Sequence, residues 1–347
     1  MEILKKYWWI AILVVGLLVV SARSCGAADI DEVVATGAQI HGQAELFYEQ
    51  SLAEGDQGES SRFALDDVKL WLTNDFNENT TSTITIQLDS TNVDVREAYV
   101  SHGFGKILRA KAGIFENRFG TADFWPDYGN APFIGPNESF NRLGTPIPIA
   151  DLGLGADLQF GDKFAATTAV FNGTGYQSIE VNTSKDLMVN ARFDLLPTLS
   201  FGGGVYKSFQ GSEYPGYSYT SANSRFGSRS LNVTGEYLTR TDLFSDDDEA
   251  QPKDHSWIFT GEWVVGSTVG LVGRVEIQDA TSTYSVGDVS SPEAALSTFD
   301  RVTAGVNYYP ASLDKHVVAQ VHVTTTDPDA EDILRSSMLQ TQVAWQF

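Results

Sequence analysis

Apolar and polar residues alternate along most of the chain, the two-residue period of strands whose two faces meet different surroundings. Near the start, Ile40, Ala44, Leu46 and Tyr48 alternate with Gln39, His41, Gln43 and Glu45. Val68, Leu70 and Leu72 interleave with Asp67, Lys69 and Thr73, and Ile84, Ile86 and Leu88 with Thr83, Thr85 and Gln87. The pattern recurs in Leu152, Leu154, Ala156, Leu158 and Phe160, in Leu187, Val189, Ala191, Phe193 and Leu195, and in Val269, Leu271, Val275 and Ile277. It closes with Leu339, Val343, Trp345 and Phe347 set against Gln340, Gln342 and Gln346. Beyond residue 28 no stretch carries a 3.6-residue period. The chain reads as all-β.

The connections sharpen this. Tight turns are expected near 77–80, 103–106, 161–162, 197–198, 227–228, 266–267 and 310–314, and between them lie mostly longer polar segments near 50–61, 117–150, 173–185, 242–254, 279–298 and 327–333. Short turns on one rim and long loops on the other are the asymmetry of outer-membrane barrels, and counting strands between them gives about 16, an even number as such barrels require. The weakest strand signal is 216–226; with it included, the acidic segment 242–254 falls on the long-loop rim.

An apolar run, Tyr7 to Val20, follows Lys5 and Lys6 and ends toward Gly26-Ala27-Ala28. It is shorter than the roughly 20 residues a spanning helix needs, and its charged start and small-residue exit are those of a secretory signal peptide cut after Ala28. The expected division is therefore 1–28 signal peptide and 29–347 barrel domain. Cys25, the one cysteine, leaves with the signal. An exported chain of this size without disulfides must be held by strand pairing or by a large core. Net charge is −22, from 23 basic and 45 acidic residues, which makes nucleic acid an unsuitable partner.

A soluble sandwich would bury the same apolar faces in a core. Export, the terminal Trp345-Gln346-Phe347, and the many charges on the opposite face (Glu45, Lys69, Arg192, Glu236, Glu262, Arg274, Glu276) favour a barrel with lipid outside and water within.

Asp94-Val-Arg-Glu-Ala-Tyr-Val100 followed by Leu108-Arg-Ala-Lys-Ala-Gly-Ile-Phe-Glu-Asn-Arg-Phe-Gly120 resembles the phosphate-selective porin family, whose strands commonly read "R-[DE]-A-Y" and then "G-x-F-x-x-x-F-G". Ala169-Val-Phe-Asn-Gly-Thr-Gly175 is similar to that family's "G-V-F-N-G" strand end, and Ser230–Leu238 and Gly305–Pro310 resemble its later hairpins. The resemblance runs from about residue 60 to 347 and implies a 16-stranded, trimeric outer-membrane porin passing small solutes by diffusion. It also implies that the loop after strand five, 117–150, folds into the pore. Independently, that loop is long, and Phe119, Phe124, Trp125, Tyr128, Phe133 and Phe140 make it too aromatic for a free tail.

Selectivity in such a pore is set by its radius and by the side chains at its narrowest point. Arg109 and Lys111 share the lumen face of strand five, Arg118 and Arg142 bracket the long loop, and Asp123, Asp127 and Glu138 lie inside it. The cations would attract phosphate or carboxylates; the alternative is that they pair with lumen carboxylates and stiffen the wall. Arg96 has ambiguous alternation, with Glu97 and Tyr99 as the other inward candidates. Charges of both signs line the lumen, so phosphate is suggested by the family and not by the residues. The five histidines show no metal-ligand spacing and no G-x-S-x-G elbow occurs, so neither an enzyme nor a cofactor is expected. An adhesin using the acidic loops (Asp246 to Glu249, Asp327 to Asp332) to hold a partner or divalent ions is the alternative. Trp345 and Phe347 look like the signal read by the barrel-assembly machinery. The remaining expected partners are outer-membrane lipid and lipopolysaccharide, small solutes or ions, and two further copies of the chain.

Overall fold

Alternation of this kind leaves every strand needing two hydrogen-bonded neighbours and one apolar solvent, and closing the sheet on itself meets the first need without leaving an edge. The computed structural model describes residues 39–51, 61–88, 93–120, 147, 150–173, 185–209, 217–228, 230–242, 253–266, 268–279, 299–309, 317–328 and 336–346. They form sixteen strands: β1 (Gln39–Ser51), β2 (Ser61–Asn77), β3 (Thr80–Leu88), β4 (Val93–Phe104), β5 (Leu108–Glu116), β6 (Ala150–Phe160), β7 (Phe164–Phe171), β8 (Asp186–Leu196), β9 (Leu199–Ser208), β10 (Tyr217–Gly227), β11 (Leu231–Asp242), β12 (Lys253–Val265), β13 (Val269–Asp279), β14 (Phe299–Tyr308), β15 (Val317–Pro328) and β16 (Ser336–Gln346). Each pairs antiparallel with its sequence neighbour, and β16 returns to β1 through pairs such as Ala44 with Trp345, closing the barrel.

The expected fold class holds, including the strand near 216–226, which is β10. Two connections were missing from the sequence reading, 89–92 between β3 and β4 and 209–216 between β9 and β10. Both belong to the long-loop rim; 89–92, at four residues, is too short to stand out as a composition shift. Of the signal peptide, nothing lies within the described residues.

The two faces separate cleanly. Leu152, Leu154, Val189, Phe193, Trp257, Phe259, Trp263, Leu271 and Val302 are exposed on the outside, while Lys69, Asn190, Glu236, Arg240, Glu276 and Arg301 are buried within the wall's inner side. So wide an apolar exterior far exceeds the patches a monomer keeps in water, and only a hydrocarbon solvent makes it favourable.

Candidate functional site

The inner wall is built from strand parity, and one irregularity redirects it. Opposite Thr85 and Ile86 the ladder skips Arg96: Thr85 pairs with Glu97 and Ile86 with Val95. The extra residue of a bulge breaks the alternation, so consecutive residues Arg96 and Glu97 are both buried. Arg96 Nη1 donates to Gln87 Oε1 at 2.6 Å and its Nε lies 3.4 Å from Glu116 Oε1. Glu97 accepts from Thr85 Oγ1 at 2.6 Å and from the Glu116 backbone N–H at 3.2 Å. The ambiguity at Arg96 resolves by having both residues inside.

Gly113 is the second local device on β5. Its φ is +132°, and a Cβ there would lie 2.2 Å from the Ala98 carbonyl oxygen. Only glycine fits. Beyond it Phe115 packs edge-on to Tyr99 at 6.2 Å and against Phe171 at 5.0 Å.

These rings begin an apolar cluster on the inside of the barrel, formed by Phe115, Phe119, Ile147, Ala169, Phe171, Met188, Tyr206, Tyr217, Tyr219 and Leu238. Water would ordinarily wet an inner wall, so a buried apolar strip there needs a cover. Phe119, four residues beyond Phe115, is 2% exposed and meets Tyr206 edge-on at 6.2 Å. Asn190 Nδ2 donates to the Arg118 carbonyl at 3.3 Å. The start of the long loop thus leaves β5 and lies against β8 and β9, and Ile147, near its other end, joins the same cluster. Residues 121–146 lie outside the described residues, and with them Asp123, Asp127, Glu138 and Arg142.

Three carboxylates fix where neighbouring loops depart. Glu97 on β4 takes the backbone amide of Glu116 at the end of β5. Asp151 on β6 takes that of Gly173 just past β7 at 2.5 Å. Asp186 on β8 takes that of Phe209 just past β9 at 3.1 Å, together with Tyr206 Oη at 2.5 Å and Ser208 Oγ at 3.0 Å. At each of these three hairpins a carboxylate on the first strand captures an amide where the second strand ends, satisfying part-buried backbone donors.

Elsewhere the inner charges come in pairs. Lys111 Nζ is 2.6 Å from Asp157 Oδ2, Arg192 Nε 3.3 Å from Asp194 Oδ2, Arg301 Nη1 3.5 Å from Glu276 Oε2, and Arg240 Nη1 4.0 Å from Asp254 Oδ2. Arg240 also lies 5.2 Å from the centre of the Tyr217 ring. At the short-turn rim, Tyr309, just beyond β14, donates to Glu262 Oε1, which also accepts from Asn307 Nδ2 at 3.0 Å. Burial, and then this bond to the carboxylate, raise the Tyr309 pKa above that of a free phenol.

Of the residues singled out from the sequence, Arg109 and Lys111 share the inner face of β5, Arg109 directly across from Asp157 and Lys111 bonded to it. Arg118 sits nearby, its Nε 4.0 Å from Glu116 Oε2. Trp345 is on β16 opposite Ala44 and Val317, and Phe347 lies outside the described residues. Glu116, Asp151, Asp157 and Asp186 were missed as site residues, while Glu97 was among the inward candidates. For Asp157 a signal existed, since it alternates with Leu158 and Ala156; for Glu116 the bulge that turns its partner Arg96 inward hid it.

No family model matches the chain, and no curated protein sequence matches it. Solved structures do. An anion-selective porin from Comamonas acidovorans superposes with a TM-score of 0.68 at 12% identity, over 90% of this chain and 99% of that one. OprB of Pseudomonas putida gives 0.68 at 8% identity, over 91% and 96%. OmpF of Salmonella typhi, solved with daunomycin, gives 0.63 at 10% identity, over 89% and 97%. At such identities the likeness is one of fold: the chain has the barrel architecture of bacterial outer-membrane porins.

Proposed function

We propose that this chain is an outer-membrane porin, a water-filled channel for passive diffusion of small hydrophilic solutes or ions, and not an enzyme. The observation that carries the proposal is the closed barrel with an apolar exterior and a wall of charged residues inside. In this reading residues 1–28 are removed on export, the long-loop rim faces outward among lipopolysaccharide, and three copies associate.

Arg109, Lys111 and Arg118, with Asp123, Asp127, Glu138 and Arg142 of the long loop, set the charge at the narrow part of the pore. The resemblance to phosphate-selective porins implies anions. The pairing of Lys111, Arg192, Arg240 and Arg301 with carboxylates supports only weak discrimination of ion sign, while the chain's net charge of −22 draws cations toward the mouths. The zero-current potential of reconstituted protein across a KCl gradient tests this. A small potential of cation-preferring sign is expected. A strong anion potential, with current blocked by phosphate, would instead make Arg109, Lys111, Arg118 and Arg142 an anion site.

Trp345 and Phe347 act in this reading as the assembly signal. Deleting Phe347 is expected to reduce the amount of barrel inserted, measured by surface labelling and heat-modifiable migration, without altering the conductance of the molecules that insert. Normal insertion would remove that role.

A further inference from the structure

Beside the start of the long loop the inner wall holds a recess of about 130 Å³, lined by Lys111, Phe115, Glu116, Arg118, Asp157 and Thr167 among others. Its shape has a local cause. At Gly155 a Cβ would stand 2.9 Å from Phe115 Cζ, so the missing side chain lets the ring lie across β6 and form an apolar floor. In this measure about 10–15 Å³ suffices to hold one water, so the space suits a small polar molecule or the head of a larger one.

The charges around it are arranged in couples. Asp157 receives Lys111 Nζ at 2.6 Å on one oxygen and Thr167 Oγ1 at 3.1 Å on the other. Glu116 lies between Arg96, 3.4 Å away with a side chain 7% exposed, and Arg118, 4.0 Å away with a side chain 43% exposed. Glu97, hydrogen-bonded to the Glu116 amide, completes the set. Lys111, Arg96 and Arg118 thus stand beside Asp157, Glu116 and Glu97, with Arg109 across from Asp157, so side chains of both signs line the recess. A lone anion entering the recess meets Glu116 and Asp157 beside the cations that attract it, and a lone cation meets the reverse. Such juxtaposition of like charge disfavours ions of a single sign. A solute bearing both signs a few ångströms apart meets neither cost. Its carboxylate can approach the partly exposed Arg118 guanidinium beside its Glu116 contact, with Lys111 near by, while its ammonium lies toward Glu116 and Asp157. Planar guanidinium favours carboxylate through paired hydrogen bonds.

We propose that this recess is a binding subsite for zwitterionic solutes of the amino-acid class, free amino acids and small peptides, during their passage through the pore. The proposal rests on the channel reading and names the solute class that reading leaves open.

The test is swelling of liposomes containing the full-length mature protein, in isosmotic glycylglycine and in a neutral polyol of similar size. Neither solute carries net charge, so no membrane potential complicates the comparison. The dipeptide is expected to enter about fivefold faster than the polyol, the preference that one partly exposed charge pair supplies. Arg118→Gln and Asp157→Asn are each expected to bring the ratio close to one, whereas Lys207→Gln, on the outer face of β9, is expected to keep it. Equal rates in the unaltered protein would overturn the subsite while leaving the channel standing. A ratio retained in both recess variants would overturn the assignment to these residues. No swelling in either solute would remove the channel reading, and the subsite with it. Should either variant fail to insert, block of the unaltered channel's current by added glycylglycine decides the matter: brief interruptions that grow with its concentration are expected, and an unperturbed current contradicts the proposal.

Discussion

Replacing Asp186 with alanine is expected to destabilise the barrel by about 3–5 kcal/mol, because one truncation orphans two buried donors and one part-buried donor that each cost about 1–3 kcal/mol when unsatisfied and do not add fully. Those donors are the Tyr206 hydroxyl, the Ser208 hydroxyl and the Phe209 amide. Tyr206 is also the ring against which Phe119 packs, so the loss reaches the pore. With Tyr206 unanchored, the start of the long loop loses part of its seat on β8 and β9, and the open-channel current is expected to become noisier. Urea unfolding in lipid vesicles measures the first effect and bilayer recording the second. A variant within about 0.5 kcal/mol of the parent, the scatter of surface substitutions, would show that the network is incidental to stability. Asp186→Asn should fall between, since it keeps one acceptor oxygen while presenting a donor where a second acceptor stood.

Gly113→Val is expected to be comparably severe for a different reason. The backbone at Gly113 sits at a φ of +132°, where a β-branched residue is strained by about 1–3 kcal/mol. Its Cβ would also fall 2.2 Å from the Ala98 carbonyl oxygen and 2.7 Å from Tyr99 Cα, both backbone atoms of β4. Flexible neighbours can yield to an added methyl group, but a paired strand cannot move without breaking its ladder. The clash therefore works against the β4–β5 pairing, adding about 1–3 kcal/mol of overpacking. A reduced fraction of heat-modifiable, folded protein is the expected readout. If Gly113→Val folded to the same extent and unfolded at the same urea concentration, the tight crossing of β4 and β5 would be wrong.

These two positions show what a sequence can and cannot convey. Strand existence, parity and closure were legible because each depends on one repeated signal: Leu154 or Ile277 outside, Asp157 or Glu276 inside, a turn, and the signal again. Even β10, with only Phe226 as a large apolar residue on its outer face, could be placed by the parity of the rims. The inner details were not legible in the same way. A bulge at Arg96 depends on how β3 and β4 settle against each other, and nothing in Asp94 to Val100 marks it. The partnership of Asp186 with Phe209 spans a whole hairpin, so neither residue announces the other. The seating of Phe119 on Tyr206 is a contact between the loop start and a distant strand, foreseen only as a general inward fold of an aromatic loop. Lys111 was foreseen in the lumen, with pairing to an unnamed lumen carboxylate as one of two readings of what it does there; the 2.6 Å ion pair with Asp157 is the geometry of that reading.

The central claim is that the barrel encloses a continuous aqueous path, even with the apolar cluster and the loop start packed on one side of it. Single-channel recording of purified protein in a planar bilayer tests this most directly. Stable current steps that scale linearly with voltage and with KCl concentration are the predicted result. Protein shown to be inserted and folded, yet giving no steps, would contradict the claim and make the chain a closed barrel whose inner wall serves stability alone.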